Sequence, residues 1–217
     1  MSDDVNTSIL LKPTLVFGTG NRKKAGELAD LLAPLGIAIK TLADVDAPLD
    51  VDESGQSFAE NARLKATQQA KHLKQWVLAD DSGLVVDALH GAPGVYSARY
   101  AGPSATDADN RRKLLAELTD KDPARRSAHF VCHLALADPT GAVRAEATGK
   151  CHGRIRTEEA GVGGFGYDPL FEIVEYHRTF GELSSVTKSV LSHRARAMYA
   201  ILPNLVRLLL LEGGACA

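Results

Sequence analysis

VLADDSGLVV, residues 77–86, is an apolar run, two adjacent aspartates, Ser82-Gly83 and a second apolar run. WVLAD reads as a buried strand that ends at the carboxylates, and DSGLVVDALHGAPG as a turn leading to VYSARY (95–100). Neighbours on a strand face opposite sides of a sheet, so one of Asp80 and Asp81 is driven inward. A buried carboxylate is costly unless something compensates it. A magnesium ion and a phosphate chain are one source of compensation. Asp81-Ser82-Gly83 also suits an ordinary turn or cap.

Working outward, PTLVFGTG reads as a short buried strand and RKKAGELADLLAPLG as a helix. Leu28, Leu31, Leu32 and Leu35 share one face of it, and Gly36 stops it. IAIKTL is a second strand and DVDAPLDVDESGQ a polar loop. SFAENARLKATQQAKHLK is a helix opened by a Ser57-x-x-Glu60 capping box. TDADNRRKLLAEL is a short capped helix. RSAHFVCHLALAD and AVRAEATGKCHGRI are long strands joined by a turn at Asp138-Pro139-Thr140-Gly141. GFGYDPLFEI reads as a glycine-marked strand. LSHRARAMYAILPNLVRLLLL is a terminal helix bent before Pro203.

Early alternation of helices and strands followed by a long hairpin predicts an α/β protein: an elongated, two-lobed mixed sheet flanked by helices. One domain spans 1–217. Residues 1–13 extend it, and the hairpin region at about 125–155 forms part of a second lobe. The cleft between lobes is the expected site.

A net charge of -2 without a basic block argues against nucleic-acid or membrane-surface binding. Cys132, Cys151 and Cys216 make no disulfide framework, and the N-terminal residues show no signal-peptide pattern, so the sequence points to the cytoplasm. His129 and His133 stand roughly 13 Å apart along one strand, too far to share an ion.

GTGNRKKAGEL (18–28) joins a strand end to a helix N-terminus, with Lys23 and Lys24 beside it, as an anion site requires. A capped helix with a solvated basic turn accounts for it equally well. Glu53 and the Asp80-Asp81 pair supply oxygen ligands of the kind magnesium takes. GVGGFGYDPLF (161–171) leaves the face of Phe165 open to stack on a base, or forms a glycine-rich hairpin around a core ring. In KSVLSHR (188–194), Ser192 suits a helix cap. Arg194, a donor-only side chain, suits a 6-oxo acceptor over an amino group, or forms an exposed basic turn.

Jointly, TGNRKK (19–24), ESGQSFAENARLKA (53–66), ADDSGLVVDALHGAPGVYSARYAG (79–102), GGFGYDPLF (163–171) and KSVLSHRARA (188–197) resemble the inosine triphosphate pyrophosphatase family, the noncanonical purine triphosphate pyrophosphatases. The resemblance runs from about residue 14 to about 205. FGELSSVTK departs from the family's usual approach to its lysine, and Ser54 from the residue often found there.

The resemblance implies a homodimer that converts ITP, dITP and XTP to monophosphate and pyrophosphate with Mg2+. It implies that Thr19, Gly20, Asn21, Arg22, Lys23 and Lys24 hold the phosphates. Asp81 would be general base and metal ligand, Glu53 a second ligand, and Ser82 a substrate contact. Phe165, Gly166, Tyr167, Asp168, Lys188, His193 and Arg194 would frame the purine.

Overall fold

A computed structural model describes residues 14–211. Seven strands form one sheet in the order β2-β1-β3-β4-β5-β6-β7. Strand β1 (Thr14–Phe17) lies parallel to both β2 (Ala38–Thr41) and β3 (Trp76–Val86). From β3 onward the pairing is antiparallel through β4 (Ser127–Ala137), β5 (Val143–Ile155), β6 (Phe171–Ile173) and β7 (Arg178–Thr179). This is the mixed α/β sheet that the sequence predicts.

Helices α1 (Arg22–Leu32) and α5 (His193–Leu205) cover one face of the sheet. Leu28 and Leu32 of α1 and Met198, Ile201 and Leu205 of α5 pack on Leu78, Leu134 and Leu136. Helix α2 (Phe58–Leu73) covers the other face with the stripe Ala62, Ala66 and Ala70. Those small side chains meet Ala79, Ala135 and Ala137, which brings helix and sheet close together. A second core lies further along the α1/α5 face. There Leu114 and Leu118, at the end of α3 (Asp107–Glu117), pack with Leu84, Phe130, Phe171 and Phe180. A seven-residue helix, α4 (Ser185–Leu191), precedes α5.

Two local expectations are corrected. Strand β3 does not stop at Asp80; it runs through Asp81, Ser82 and Gly83 to Val86, paired all the way with β4. GFGYDPLFEI is strand only from Phe171, because positive φ at Gly164 and Gly166 and the Phe165 N–H donated to Asp168 make it a turn. The terminal helix runs through Pro203, as the sequence predicts, and continues as a π-turn over Val206–Leu211. Cys216 and residues 1–13 lie outside the described residues.

Gly149 explains how α5 reaches the sheet. A Cβ there would stand 2.2 Å from the His193 carbonyl oxygen and 2.3 Å from the Ala197 nitrogen. The first turn of α5 therefore rests on bare backbone of β5, which buries His193 and Arg194.

Candidate active site

The site forms where β1 ends and β3 continues. Beyond Leu78, β3 has no β1 neighbour, and the Gly18–Lys24 turn fills the space beside Asp80–Ser82. Crevices at the carboxyl ends of parallel strands, where neighbouring connections diverge, are the usual ligand position in α/β sheets.

Strand alternation puts the two aspartates on opposite faces. Asp80 is 1% exposed and lies on the α1/α5 face. Lys24 Nζ is 3.3 Å from its Oδ2, Arg194 Nη2 3.5 Å and Ser82 Oγ 3.1 Å. Burial alone would raise this carboxyl; Lys24, Arg194 and Lys65 more than offset it and hold it far below the usual range.

Asp81 faces α2. Lys65 Nζ is 3.1 Å from its Oδ1 and Asn61 Nδ2 donates to its Oδ2 at 3.3 Å. Burial keeps the Asp81 carboxyl above its ordinary value despite the nearby Lys65. Protein partners therefore more than offset burial at Asp80 but only partly at Asp81.

Lys65 and Asn61 were given no role from sequence, although Asn61, Lys65 and Gln69 recur every four residues beside the alanine stripe. Asn61 Oδ1 accepts from Gly55 N at 2.8 Å, and Gln69 binds both the N–H and the C=O of Leu49. They tie the Glu53 loop to α2. Lys65 Nζ is also 3.3 Å from Glu53 Oε2. Asp81 and Glu53 thus converge on one positive centre. That geometry fits Mg2+, which needs only one or two protein carboxylates beside substrate oxygens.

In the Gly18–Lys24 turn, Asn21 caps α1 by accepting from the Lys23 and Lys24 amides, and Thr19 Oγ1 accepts from Asn21 N. Some backbone donors assigned to phosphate from sequence are therefore already used. Gly20, Arg22 and Lys23 remain exposed. Lys24 turns inward to Asp80.

On the Asp80 side a cavity is lined by Lys24, Ser82, Phe165, Asp168, His193 and Arg194, among others, but not by Asp81. Gly166, Tyr167 and Lys188 also border it. Phe165 is half-buried, with Lys188 Nζ 4.5 Å and Lys23 Nζ 5.6 Å from its ring centre. Asp168 accepts from Lys188 Nζ at 2.7 Å and from Phe165 N at 2.8 Å. Burial raises its carboxyl against the pull of Lys188. Tyr167 is anchored by its hydroxyl to the Ser97 carbonyl. Ser97 itself serves the turn, accepting from Leu84 N and donating to Gly94 O.

Arg194 is not the exposed turn that one sequence reading allows; it is 1% exposed. Its guanidinium joins Glu27, Asp80 and Ser82. Burial works against its charge, and Asp80 chiefly restores it. Glu27 also holds Lys188 at 2.9 Å, a role that no periodicity in α1 announces. His193 stacks on Phe130, ring centres 4.7 Å apart. Burial, with Arg194 and Lys188 nearby, holds it neutral. Arg194 Nε and His193 Nδ1 are buried without a protein partner. Two of the residues that line the cavity therefore carry unpartnered polar atoms, and an aromatic ring lines it beside them, suited to a flat heterocycle with a polar edge.

A family model described as the Ham1 family matches residues 15–204. The chain belongs to the Ham1 family. Its relatives there include the dITP/XTP pyrophosphatase of Rhodopirellula baltica, 57% identical over 194 residues, which cover 89% of this chain and 93% of that one. The dITP/XTP pyrophosphatase of Desulforamulus reducens is 45% identical, with 89% and 96% covered. Among solved Ham1 family structures, that of a HAM1 protein from Coxiella burnetii has a TM-score of 0.82 at 38% identity, covering 89% of this chain and 98% of that one. The nucleoside-triphosphatase / dITP/XTP pyrophosphatase of Mycobacterium abscessus has a TM-score of 0.72 at 42% identity, with 88% and 99% covered. Among the described residues, no helix is long and apolar enough to cross a membrane.

Proposed function

We propose that this chain hydrolyses noncanonical purine nucleoside triphosphates (ITP, dITP and XTP) to monophosphate and pyrophosphate. The single observation that carries the reading is the division of labour across β3. A cation-lined aromatic cavity lies on the Asp80 side, and a poised carboxylate, Asp81, on the other. A nucleotide crossing β3 at the Gly18–Lys24 turn would set its base against Phe165 and its phosphates beside that turn and Asp81.

Asp81 would take a proton from the water that attacks the α-phosphorus; the new P–O bond forms as the bond to the β-phosphate oxygen breaks. A carboxylate that burial holds above its ordinary pKa is a better base. Thr19, Gly20, Asn21, Arg22, Lys23 and Lys24 would hold the phosphates, and Ser82 would contact the substrate. Asp81 and Glu53 would hold Mg2+, whose charge would stabilise the triphosphate and the leaving pyrophosphate. Phe165 would stack on the base, with Gly166, Tyr167, Asp168, Lys188 and His193 bounding it. Arg194 Nε would donate to a 6-oxo group, where adenine's amino group would oppose it donor to donor.

The same reading makes 1–217 one domain, with the hairpin end as part of a second lobe, acting as a cytoplasmic homodimer on free nucleotides. The test is a product-resolved assay with Mg2+ on ITP, dITP, XTP, GTP and ATP. Pyrophosphate from ITP or XTP, with ATP nearly untouched, is expected. Orthophosphate would mean attack at the terminal phosphorus and overturn the mechanism.

A further inference from the structure

Gly166 is the residue beside Phe165, and helix α3 grips it from both sides. Asp107 Oδ2 accepts the Gly166 N–H at 2.8 Å. Arg111, one turn later on α3, donates Nη1 to the Gly166 carbonyl at 2.9 Å. Arg111 Nε also pairs with Glu159 at 2.9 Å, further back in the same loop. The Phe165 backbone on its other side is tied to Asp168, which accepts the Phe165 N–H at 2.8 Å. A Cβ on Gly166 would meet no atom within 4 Å, and its φ is +59°. The Phe165 ring is half-buried, and its cation–π neighbours are the side chains of Lys23, Lys188 and Arg194.

Helix α3 is itself well anchored. Thr106 and Asp109 form a reciprocal cap, and buried Asn110 bonds Ala98 O and Ala101 N. A rigid helix therefore reaches the loop through two charge-assisted hydrogen bonds, the stronger kind.

We propose that Asp107 and Arg111 are positioning residues for base recognition: their clamp on Gly166 fixes where Phe165 presents its face. The proposal rests on the base-stacking reading above. Neither residue takes part in the chemistry, so loss of the clamp acts on substrate binding.

The test compares ITP and ATP kinetics of the wild type with those of Asp107→Ala, Asp107→Asn and Arg111→Met, each checked for folding by thermal melting. In Asp107→Ala and Arg111→Met, KM for ITP is expected to rise roughly 10–100-fold, kcat to change less than about threefold, and the preference for ITP over ATP to shrink. Asp107→Asn keeps an acceptor for the Gly166 N–H and is expected to stay within about threefold of wild type. Folded Ala and Met variants with unchanged KM and unchanged preference would overturn the clamp. So would an Asn variant as impaired as Ala. A wild type that releases no pyrophosphate from ITP would overturn the base-stacking reading, and the clamp with it.

Discussion

The Lys65 ammonium stands 3.1 Å from Asp81 Oδ1 and is itself buried against α2 and β3. Burial raises the Asp81 carboxyl, and Lys65 is the largest influence pulling it back. Lys65→Met removes that pull, so the carboxyl rises further. A general base works only when deprotonated, so the acid limb of kcat follows it. The limb is expected to move to higher pH in Lys65→Met, and kcat at neutral pH to fall about 10²-fold or more. A pH profile with an unmoved limb would detach Lys65 from this titration.

Asp81→Asn preserves size and an acceptor for Asn61 but cannot take a proton. Its kcat is expected to fall about 10²–10⁴-fold. ITP should still raise the melting temperature, because the cavity lies on the other side of β3. Turnover near the wild-type rate would remove Asp81 from the base role.

The two aspartates also mark where sequence reading runs out. The hairpin of β4 and β5 and the cap of α2 were legible, because turn residues and apolar spacing are local signals. Ser57 does accept from Glu60 N, although Glu60 answers to Gln56 instead of closing the box. Strand β3 was cut short because Asp, Ser and Gly are poor strand formers. Their cost is offset by partners that no local window contains: Lys65 lies 16 positions from Asp81 and Arg194 lies 114 from Asp80. Glu27, Asn61 and Lys65 escaped for the same reason. Phe165 and Arg194 were singled out from the residues and Asp168, Lys188 and His193 from the family resemblance, and the fold brings them to one cavity. That Arg194 is a buried structural ion as well could be learned only from its contacts.

Gly149 tests whether α5 must touch β5 to form the site. Gly149→Val would drive side-chain atoms into the His193 carbonyl and the Ala197 nitrogen. Overpacking of this kind costs about 1–3 kcal/mol, a loss of several degrees in Tm. ITP turnover is expected to fall by more than stability explains, since His193 and Arg194 move with the helix. Full activity in a folded variant would show that the first turn of α5 tolerates displacement.

His193 sets a pH dependence of stability. Its folded pKa lies well below its ordinary 6.5, mainly through burial. As pH drops below about 6.5, the unfolded chain takes up a proton that the folded chain refuses. Stability therefore falls with decreasing pH there, by at most about 1.4 kcal/mol per pH unit for this residue, and is unaffected by it at higher pH. His129, also lowered by burial, adds in the same direction. Urea midpoints of wild type and His193→Gln at pH 7.0 and 5.5 should show a shallower dependence in the variant. Equal dependence would exclude His193 as its source.

Base selectivity is best read from Arg194→Lys, because Arg194→Ala does two things at once. Removing the guanidinium leaves Asp80 buried with Lys24 as its remaining close cation, and Glu27 with Lys188. Breaking a buried pair in this way costs about 3–5 kcal/mol, so any loss of activity in the alanine variant mixes with unfolding. Arg194→Lys keeps a positive charge opposite Asp80 and Glu27 but has no counterpart of Nε–H, the buried donor without a protein partner. If that donor reads the 6-oxo group, the ratio of kcat/KM for ITP over ATP should fall about 10-fold or more in Arg194→Lys, with the melting temperature lowered less than in Arg194→Ala. An unchanged ratio in a folded lysine variant would assign Arg194 to holding Asp80 and Ser82 in place, and leave selectivity to Asp168, Lys188 and His193.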